Sequence, residues 1–314
     1  MPYPTNGLMV LDGGLATELA MHGFDLSDAL WSARLLADAP EAIEAVHRSY
    51  FEAGADLAIT ASYQASFEGF AVRGFSPSDT ERLLQRSVTL ARAAREHVRT
   101  LESPRARWVA ASVGPYGATL HDGSEYRGDY GLSEVALADF HRPRIVALLG
   151  ADPDLLACET LPSLLEARAI LRVLREHPGA RAWVTFTCRD SASTSAGDAI
   201  AECARVLDAE PQVVAMGINC VDPVLVTPLI QTMASVTDKP IIVYPNSGEV
   251  WNAATRCWEG TATRFTAYLQ EWINAGASWL GGCCRTTPED IRIVRTVVDS
   301  ALKDQDSKTK KREE

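Results

Sequence analysis

Two adjacent cysteines near the end of the chain, and a third far upstream, are the residues with the clearest chemical potential. Cys283 and Cys284 follow the pair Gly281-Gly282, and Cys220 ends an apolar run. A structural zinc site closes with four protein ligands, whereas a catalytic site leaves a position open for water or substrate. Thiolates favour zinc or copper over magnesium or calcium. Three cysteines therefore indicate a catalytic zinc site, with small buried packing residues as the alternative.

The bulk properties of the chain are those of a globular protein. Its 314 residues are enough for one large domain or two ordinary ones. The 7 unevenly spaced cysteines fit a reducing compartment, and the net charge of -11 argues against nucleic-acid binding. No apolar run reaches the roughly 20 residues of a membrane span, and residues 1–6 lack the features of a secretory signal. We therefore expect a cytoplasmic protein that binds neither nucleic acid nor membrane.

Eight short apolar runs alternate with helix-like segments along the chain. The runs are Met9–Leu11, Leu57–Ala61, Trp108–Val113, Leu155–Cys158, Ala182–Phe186, Val213–Ile218, Ile241–Tyr244 and Ala277–Leu280. The helix-like segments are Pro40–Ala53, Pro77–Leu101, Leu132–Leu149, Ser163–His177, Ala199–Ala209, Leu225–Ser235, Ala262–Ala275 and Pro288–Leu302. Mostly apolar runs without strict alternation suit strands that are buried on both faces of a parallel sheet.

This arrangement predicts an α/β protein with the (β/α)8 TIM barrel fold, because eight strand–helix units are the count of that barrel. We expect the barrel to form a single domain over residues 1–303, followed by a disordered charged tail at residues 304–314. An open doubly wound sheet is the alternative. Its usual Gly-x-Gly-x-x-Gly turn is missing after the first run, where Asp12-Gly13-Gly14 leads into Leu15.

The barrel fold predicts where the chemistry lies, because active sites of such barrels form at the C-terminal ends of the strands. Small or polar residues close most of the runs, among them Asp12, Gly13, Tyr63, Glu159, Asn219, Cys220, Cys283 and Cys284. The three cysteines would then come from the sixth and eighth strands, two positions apart on one rim. This placement favours the zinc site over simple packing.

The motifs at these strand ends resemble those of the homocysteine S-methyltransferase family. The most specific are Gly217-Ile218-Asn219-Cys220 and Gly281-Gly282-Cys283-Cys284, which look like the zinc-ligand motifs of the family. Asp12-Gly13-Gly14 and Glu159-Thr160-Leu161-Pro162 resemble its first- and fourth-strand motifs. The likeness extends over roughly residues 8–297. It implies a Zn²⁺ cofactor and transfer of a methyl group to the thiol of homocysteine, giving methionine.

Four further segments resemble the branch of the family that uses a sulfonium donor, S-methylmethionine or S-adenosylmethionine. They are 59–65, 112–117, 123–128 and 244–249. The expected partners are therefore small molecules, homocysteine and the sulfonium, and the compact S-methylmethionine is favoured because no adenosine motif is found. A betaine-type donor is one alternative. A non-enzymatic metal or redox protein that uses the adjacent cysteines is another.

The remaining candidates are expected to bind substrate, since the only nucleophile required is the zinc-activated thiolate of the substrate itself. Glu159 is assigned to the ammonium group of homocysteine, with a salt bridge to an Arg or Lys as the alternative. Asp12 has a substrate role or caps the helix that follows. The N–H groups of Gly13 and Gly14 could bind a substrate carboxylate, or the two glycines form a plain turn.

Two further groups of side chains carry weaker expectations. Asn219 either donates a hydrogen bond to a ligating sulfur or satisfies backbone groups. The aromatic candidates for a contact with the sulfonium are Tyr63, Tyr116, Tyr126 and Trp251. Four histidines fall in helical segments and are expected to be solvated and not to bind zinc, namely His47, His97, His141 and His177.

Overall fold

Eight parallel strands form a closed barrel in the computed structural model, which describes residues 7–26, 30–101, 105–252 and 257–313. The barrel strands are β1 (Met9–Val10), β2 (Leu57–Ile59), β3 (Trp108–Val113), β4 (Leu155–Leu161), β5 (Ala182–Phe186), β6 (Val213–Asn219), β7 (Ile241–Tyr244) and β10 (Ala277–Leu280). Their order is β1-β10-β7-β6-β5-β4-β3-β2, and a bridge between Leu11 and Leu57 joins the two ends. The predicted TIM barrel is confirmed, and every predicted strand is present.

A two-stranded antiparallel hairpin, β8 (Val250–Asn252) and β9 (Cys257–Glu259), lies between β7 and β10 in the chain and was not predicted. Strand β4 is longer than predicted, since it continues past Cys158 to Leu161. The apolar pattern stops at Cys158 because Glu159 and Thr160 are polar, yet both belong to the strand.

The helices in the described part of the chain follow the predicted alternation. They are α1 (Leu15–Met21), α2 (Leu35–Asp38), α3 (Pro40–Glu52), α4 (Phe67–Val72), α5 (Pro77–Leu101), α6 (Glu134–Leu149), α7 (Leu164–Arg175), α8 (Ile200–Asp208), α9 (Val226–Ala234), α10 (Leu269–Ala275) and α11 (Pro288–Glu313). Short 3-10 helices span Trp31–Arg34, Tyr116–Thr119, Ser124–Tyr126, Pro223–Leu225 and Phe265–Tyr268. The three short helices α1, α2 and α4 were not predicted.

Local sequence explains where several helices begin. Pro40 occupies the first turn of α3, where its missing N–H costs nothing. The hydroxyls of Ser133 and Ser163 cap α6 and α7 by accepting the N–H of the third residue of each helix. Within the described residues, no helix combines the length and the apolarity needed to cross a lipid bilayer.

The last helix includes the charged segment that we expect from the sequence to be a disordered tail. The backbone of α11 is helical to Glu313. Lys, Gln, Glu and Arg sustain a helix, but residues 303–314 include no apolar side chain that could pack it against the barrel. The disordered tail therefore stays a prediction, as does the boundary at residue 303.

Two apolar layers hold the barrel together, one inside the strands and one between strands and helices. Inside, Trp183 and Trp279 meet edge to face with ring centroids 6.2 Å apart and planes at 89°. Side chains alternate along β4, so Ala157 belongs to the inner cluster and Cys158 to the outer one. The same alternation turns Glu159 into the mouth of the barrel.

Two of the four helical histidines are buried, and the expectation that they are solvated was wrong for these two. His47 and His141 are fully inaccessible, whereas His97 is exposed and His177 is partly exposed. Burial lowers the pKa of His47 to about 4. The ring of His141 lies 2.9 Å from a carboxylate oxygen of Glu166. A helical position alone does not show which face of the helix a residue occupies.

Gly217 in β6 lies where the backbones of β6 and β7 approach each other closely. A Cβ at this position would lie 1.9 Å from the carbonyl oxygen of Ile242 in the neighbouring strand β7. We expect Gly217→Ala to destabilise the protein by about 3 kcal/mol or more, because backbone atoms must move. Thermal unfolding measures the effect. Gly179→Ala is the matched control, since nothing lies within 4 Å of a Cβ there, and equal melting temperatures of the two variants would contradict the prediction.

Candidate active site

The structure brings Cys220, Cys283 and Cys284 together at the C-terminal rim of the barrel. Cys220 directly follows β6, and the other two follow β10. Their three Sγ atoms all lie within 4.8 Å of one another. The Sγ atoms of Cys220 and Cys284 are 3.6 Å apart, and those of Cys283 and Cys284 are 4.0 Å apart. Such a cluster has the spacing of ligands that share one metal ion.

Strand β7 lies between the two strands that carry the cysteines and fixes the backbone on both sides. The N–H of Cys220 donates to the carbonyl of Tyr244 at 3.1 Å, and that of Cys283 donates to the carbonyl of Pro245 at 2.7 Å. Cys220 has a φ of 52°, in the left-handed region that is unfavourable for a residue with a Cβ. This strained turn at the strand end aims the thiol at its two partners.

The three thiols influence one another strongly because they are buried together. Hydrogen bonds from Cys283 and Cys284 lower the pKa of Cys220. The same bonds, with Cys220 as the charged partner, raise the pKa of Cys283 and of Cys284. The three thiols therefore do not ionise independently: Cys220 loses its proton most readily, and the charge of its sulfur favours the protonated forms of the other two. The thiol donor set fits Zn²⁺ or another soft ion, with a fourth position left for a ligand from outside.

Asn219 fastens the neighbouring strand ends beneath the cluster. Its Oδ1 accepts the N–H of Thr160 and the hydroxyl of Thr185, each at 2.8 Å. Its Nδ2 donates to the hydroxyl of Thr160 at 2.7 Å and lies 4.0 Å from the Sγ of Cys283. The fully buried amide thus serves both of the roles considered from the sequence, and joins the ends of β4, β5 and β6.

Glu159 is a buried carboxylate with hydroxyl partners and no ion pair to an Arg or Lys of the described chain. Its Oε1 accepts a short hydrogen bond from Ser112, and the hydroxyl of Tyr244 is a second partner. Burial raises the pKa of Glu159 to about 7, and these hydrogen bonds offset only part of the shift. The salt bridge considered as the alternative is therefore absent in the described residues.

Asp12 joins β1 to β2 and does not cap the helix that follows. Its Oδ2 accepts the N–H of Ile59 at 2.8 Å, while its Oδ1 is buried without a partner in the described structure. Helix α1 begins at Leu15, and its N-cap residue Gly14 is not accompanied by a side-chain cap, so the capping interpretation was wrong. Burial raises the pKa of Asp12, and the charge of Glu159 adds to the shift.

The two glycines after Asp12 have different environments. The N–H of Gly14 donates to the hydroxyl of Thr286 at 3.1 Å, so it is not free for a substrate carboxylate, and that interpretation was wrong for Gly14. Gly13 lines the cavity at the barrel mouth. A Cβ at Gly13 would lie 2.8 Å from the ring of Tyr50 and 2.9 Å from the hydroxyl of Thr286. The backbone can turn this tightly only because the side chain is absent.

The aromatic candidates are divided between the site and the core. Tyr63 and Tyr126 line the cavity, and the hydroxyl of Tyr126 lies 3.5 Å from the Sγ of Cys220. Tyr116 instead packs against Tyr130 and Phe140, with ring centroids 5.2 and 5.0 Å away, and it is not among the residues that line the cavity. The side chain of Trp251 lies outside the described residues.

A single cavity of about 1060 Å³ joins these groups at the barrel mouth. Its walls include the three cysteines, Gly13, Tyr63, Tyr126 and Glu159, and also Glu125 and Arg285, which the sequence did not single out. The guanidinium of Arg285 is 3.0 Å from a carboxylate oxygen of Glu249, so its charge is compensated. Asp12 and Asn219 support the floor from behind. The lining therefore combines apolar side chains with the three thiols and the carboxyl groups of Glu125 and Glu159.

Fold and site together define a barrel protein with a three-cysteine cluster that could hold a metal ion. The family model for homocysteine S-methyltransferase matches residues 9–298. Homocysteine S-methyltransferase YbgG of Bacillus subtilis is 50% identical over 296 residues, which cover 92% of this chain and 93% of the relative. Homocysteine S-methyltransferase of Escherichia coli is 48% identical over 293 residues, covering 92% and 94%.

A solved structure extends the likeness to three dimensions. The metallated form of the homocysteine methyltransferase MmuM from Escherichia coli superposes with a TM-score of 0.85 at 46% identity, covering 93% of this chain and 96% of that one. The chain belongs to the homocysteine S-methyltransferase family. The resemblance inferred from its motifs is thereby confirmed, as is its class as a methyltransferase.

Proposed function

We propose that this protein transfers a methyl group from S-methylmethionine to L-homocysteine with the help of Zn²⁺, giving methionine. S-Adenosylmethionine is the second candidate donor. The observation that carries the proposal is one cavity that holds both the three-thiol cluster and Glu159, a buried carboxylate with no cationic partner in the described chain. A thiol substrate that also carries an ammonium group satisfies both features at once.

Cys220, Cys283 and Cys284 would hold the metal, and their free thiols require a reducing compartment, which supports a cytoplasmic location. A bound zinc ion would supply a thiolate at neutral pH, since a free thiol has a pKa near 8.5 and a metal-bound one is deprotonated. The residues around the cluster keep its geometry. Asn219 fixes the strand ends, and the hydroxyl of Tyr126 donates toward the sulfur of Cys220.

Glu159 and Asp12 would recognise the amino-acid end of homocysteine. Transfer of an ammonium group into a buried site is costly unless a carboxylate receives it. Glu159 faces the cavity directly, and Oδ1 of Asp12, next to Gly13 in the chain, has no hydrogen-bond partner in the described residues. Tyr63 covers the same region of the cavity. Homocysteine would thereby be held by its ammonium group while its sulfur points at the cysteine cluster.

The charge of the cavity favours a cationic donor. Attack of a thiolate on a sulfonium converts two opposite charges into two neutral thioethers, so charge disperses in the transition state and a cavity that excludes water is an advantage. Holding both reactants in line can contribute roughly 7–11 kcal/mol. The sulfonium is preferred to a betaine because a thioether leaves more readily than a tertiary amine, and because the segments 59–65 and 244–249 resemble the sulfonium-using branch.

The test is a methionine assay with purified, reduced, zinc-loaded protein, homocysteine and one donor at a time. We expect S-methylmethionine to give the highest rate and glycine betaine to give none above background. Betaine turnover at a rate matching S-methylmethionine would contradict the donor assignment, and equal use of both sulfoniums would remove only the preference between them. Zinc binding without methionine from any donor would instead support a non-enzymatic thiol protein.

A further inference from the structure

A second carboxylate, that of Glu125, faces the same cavity and has no role in the mechanism above. Glu125 lies in the 3-10 helix Ser124–Tyr126, in the loop after β3. It lines the cavity, and its Oε2 is buried without a hydrogen-bond partner in the described structure. The adjacent cation, Arg127, is directed elsewhere and pairs with Asp122 at 3.6 Å and with Asp129 at 3.5 Å.

The loop that carries Glu125 is fixed against the cysteine cluster. The hydroxyl of Tyr126 lies 3.5 Å from the Sγ of Cys220. The N–H of Glu125 packs closely over Gly117, where an added Cβ would lie 2.5 Å from that nitrogen. Glu125 therefore holds a defined position beside the metal ligands and does not move freely with solvent.

Tyr63 lies close enough to both Glu125 and Glu159 for their charges to act on its hydroxyl. Burial raises the pKa of the Tyr63 hydroxyl, and the charges of Glu125, Cys220 and Glu159 raise it further. The phenol is therefore near both carboxylates and the cluster. Glu125 and Glu159 are thus two separate anionic positions around one reaction centre.

An anion in this position is costly without a cation. Burial raises the pKa of Glu125 to about 7, and the charge of Cys220 adds to the effect. A cationic ligand group beside Oε2 would stabilise the carboxylate form. The charge of Arg127, which pairs with Asp122 and Asp129, lowers this pKa only in part, so a cationic ligand group would complete the compensation.

We propose that Glu125 binds the α-ammonium group of the sulfonium donor, so that the enzyme selects donors that are themselves amino acids. The inference rests on the proposed function, in which two amino acids with one ammonium each meet in one cavity. Glu159 binds the ammonium group of homocysteine, which accepts the methyl group. Glu125 is the remaining carboxylate on the cavity wall, and its Oε2 has no hydrogen-bond partner in the described residues. Binding of the donor by its ammonium places the sulfonium methyl between Glu125 and the cysteine cluster.

The experiment compares S-methylmethionine with 4-dimethylsulfoniobutanoate, which is the same sulfonium without the amino group. For Glu125→Gln we expect the KM for S-methylmethionine to rise roughly ten- to hundredfold, the effect of losing a charge-assisted hydrogen bond. For 4-dimethylsulfoniobutanoate, the measured quantity is its KM if the enzyme turns it over, and its inhibition constant if the enzyme does not. Either constant should change less than about threefold in Glu125→Gln. The KM for homocysteine and the zinc content should stay as in the wild type.

Asp152→Asn is the control, because it removes one charge at a side chain that is 100% exposed and does not line the cavity. It should leave both donor constants unchanged. If Glu125→Gln does not fold, Glu125→Asp keeps the carboxylate and should show a smaller rise in KM for S-methylmethionine alone. An unchanged KM, or an equal loss for both donors, would overturn the inference while leaving the proposed function intact. Wild-type enzyme that is inactive with S-methylmethionine would overturn the proposed function itself.

Discussion

Replacement of Cys283 by serine is expected to abolish stoichiometric metal binding and to slow methyl transfer by at least about two orders of magnitude. Serine is not ionised at neutral pH and is a poor ligand for a soft metal ion, so two thiolates would remain of three. Without the metal, only a few per cent of the substrate thiol is ionised at pH 7, and its position is no longer fixed. Metal analysis and initial rates with homocysteine and S-methylmethionine measure the two effects, and Cys220→Ser and Cys284→Ser should behave alike.

Cys203→Ala provides the matched control for the metal prediction. Cys203 is a fully buried thiol of α8, in the outer apolar layer, where burial raises its pKa to about 12. Its removal should leave one zinc ion per chain and the wild-type rate. Stoichiometric zinc in a folded Cys283→Ser or Cys284→Ser variant would exclude the three-thiol site.

Replacement of Glu159 by glutamine is expected to raise the KM for homocysteine about ten- to hundredfold and to leave the metal content unchanged. The change removes the charge that would bind the substrate ammonium but keeps the size of the side chain, and a hydrogen bond to a charged group is worth about 1.5–3 kcal/mol. Glu159 is not a member of the thiol cluster, so zinc binding should survive. Steady-state kinetics with homocysteine as the varied substrate measures the effect.

The same variant should be more stable than the wild type above neutral pH. The folded protein raises the pKa of Glu159 from 4.5 to about 7, so folding becomes less favourable as pH rises between these values. Below pH 4.5 the group is protonated in both states and contributes nothing, whereas above pH 7 the full cost applies. We expect Glu159→Gln to recover on the order of 1–3 kcal/mol at pH 8 and almost none at pH 4.

Melting temperatures of Glu159→Gln and wild type across this pH range separate binding from stability. Glu289→Gln, at a side chain that is 73% exposed, is the control and should shift neither the melting temperature nor the kinetics. An unchanged KM for homocysteine would rule out the ammonium role of Glu159. A variant that is less stable than the wild type at pH 8 would show that the buried charge has a partner in the folded protein.

The strands and main helices could be predicted because their signals are local. A strand buried on both faces must be apolar over most of its length, and eight such runs leave few alternatives to a barrel. The same logic placed the three cysteines on one rim, because parallel strands end on the same side. The apolar pattern did not predict the end of β4. Glu159 and Thr160 are polar residues within the strand, and they interrupt that pattern.

The partners of individual side chains could not be predicted, because they come from distant parts of the chain. Gly14 donates to Thr286, which is 272 positions away, and this contact removes the N–H that we assigned to a substrate. Tyr126 meets the sulfur of Cys220 through a loop whose path has no periodic signal. Glu125 was overlooked for the same reason, since an acidic residue in a glycine-containing loop is usually solvated. Only the folded chain shows that its Oε2 is buried.

The strand order of the barrel has a consequence for how the protein is made in the cell. Strand β10 is the last of the eight barrel strands in the chain, and it pairs with both β1 and β7, so its addition closes the ring. During translation Cys220 leaves the ribosome well before Cys283 and Cys284, so the three-thiol cluster is incomplete until β10 and the residues after it have been made. A chain that ends before Cys283 would therefore lack the complete metal site. If the cluster holds a metal ion as proposed, bound metal counted per chain would measure the fraction of barrels that have closed.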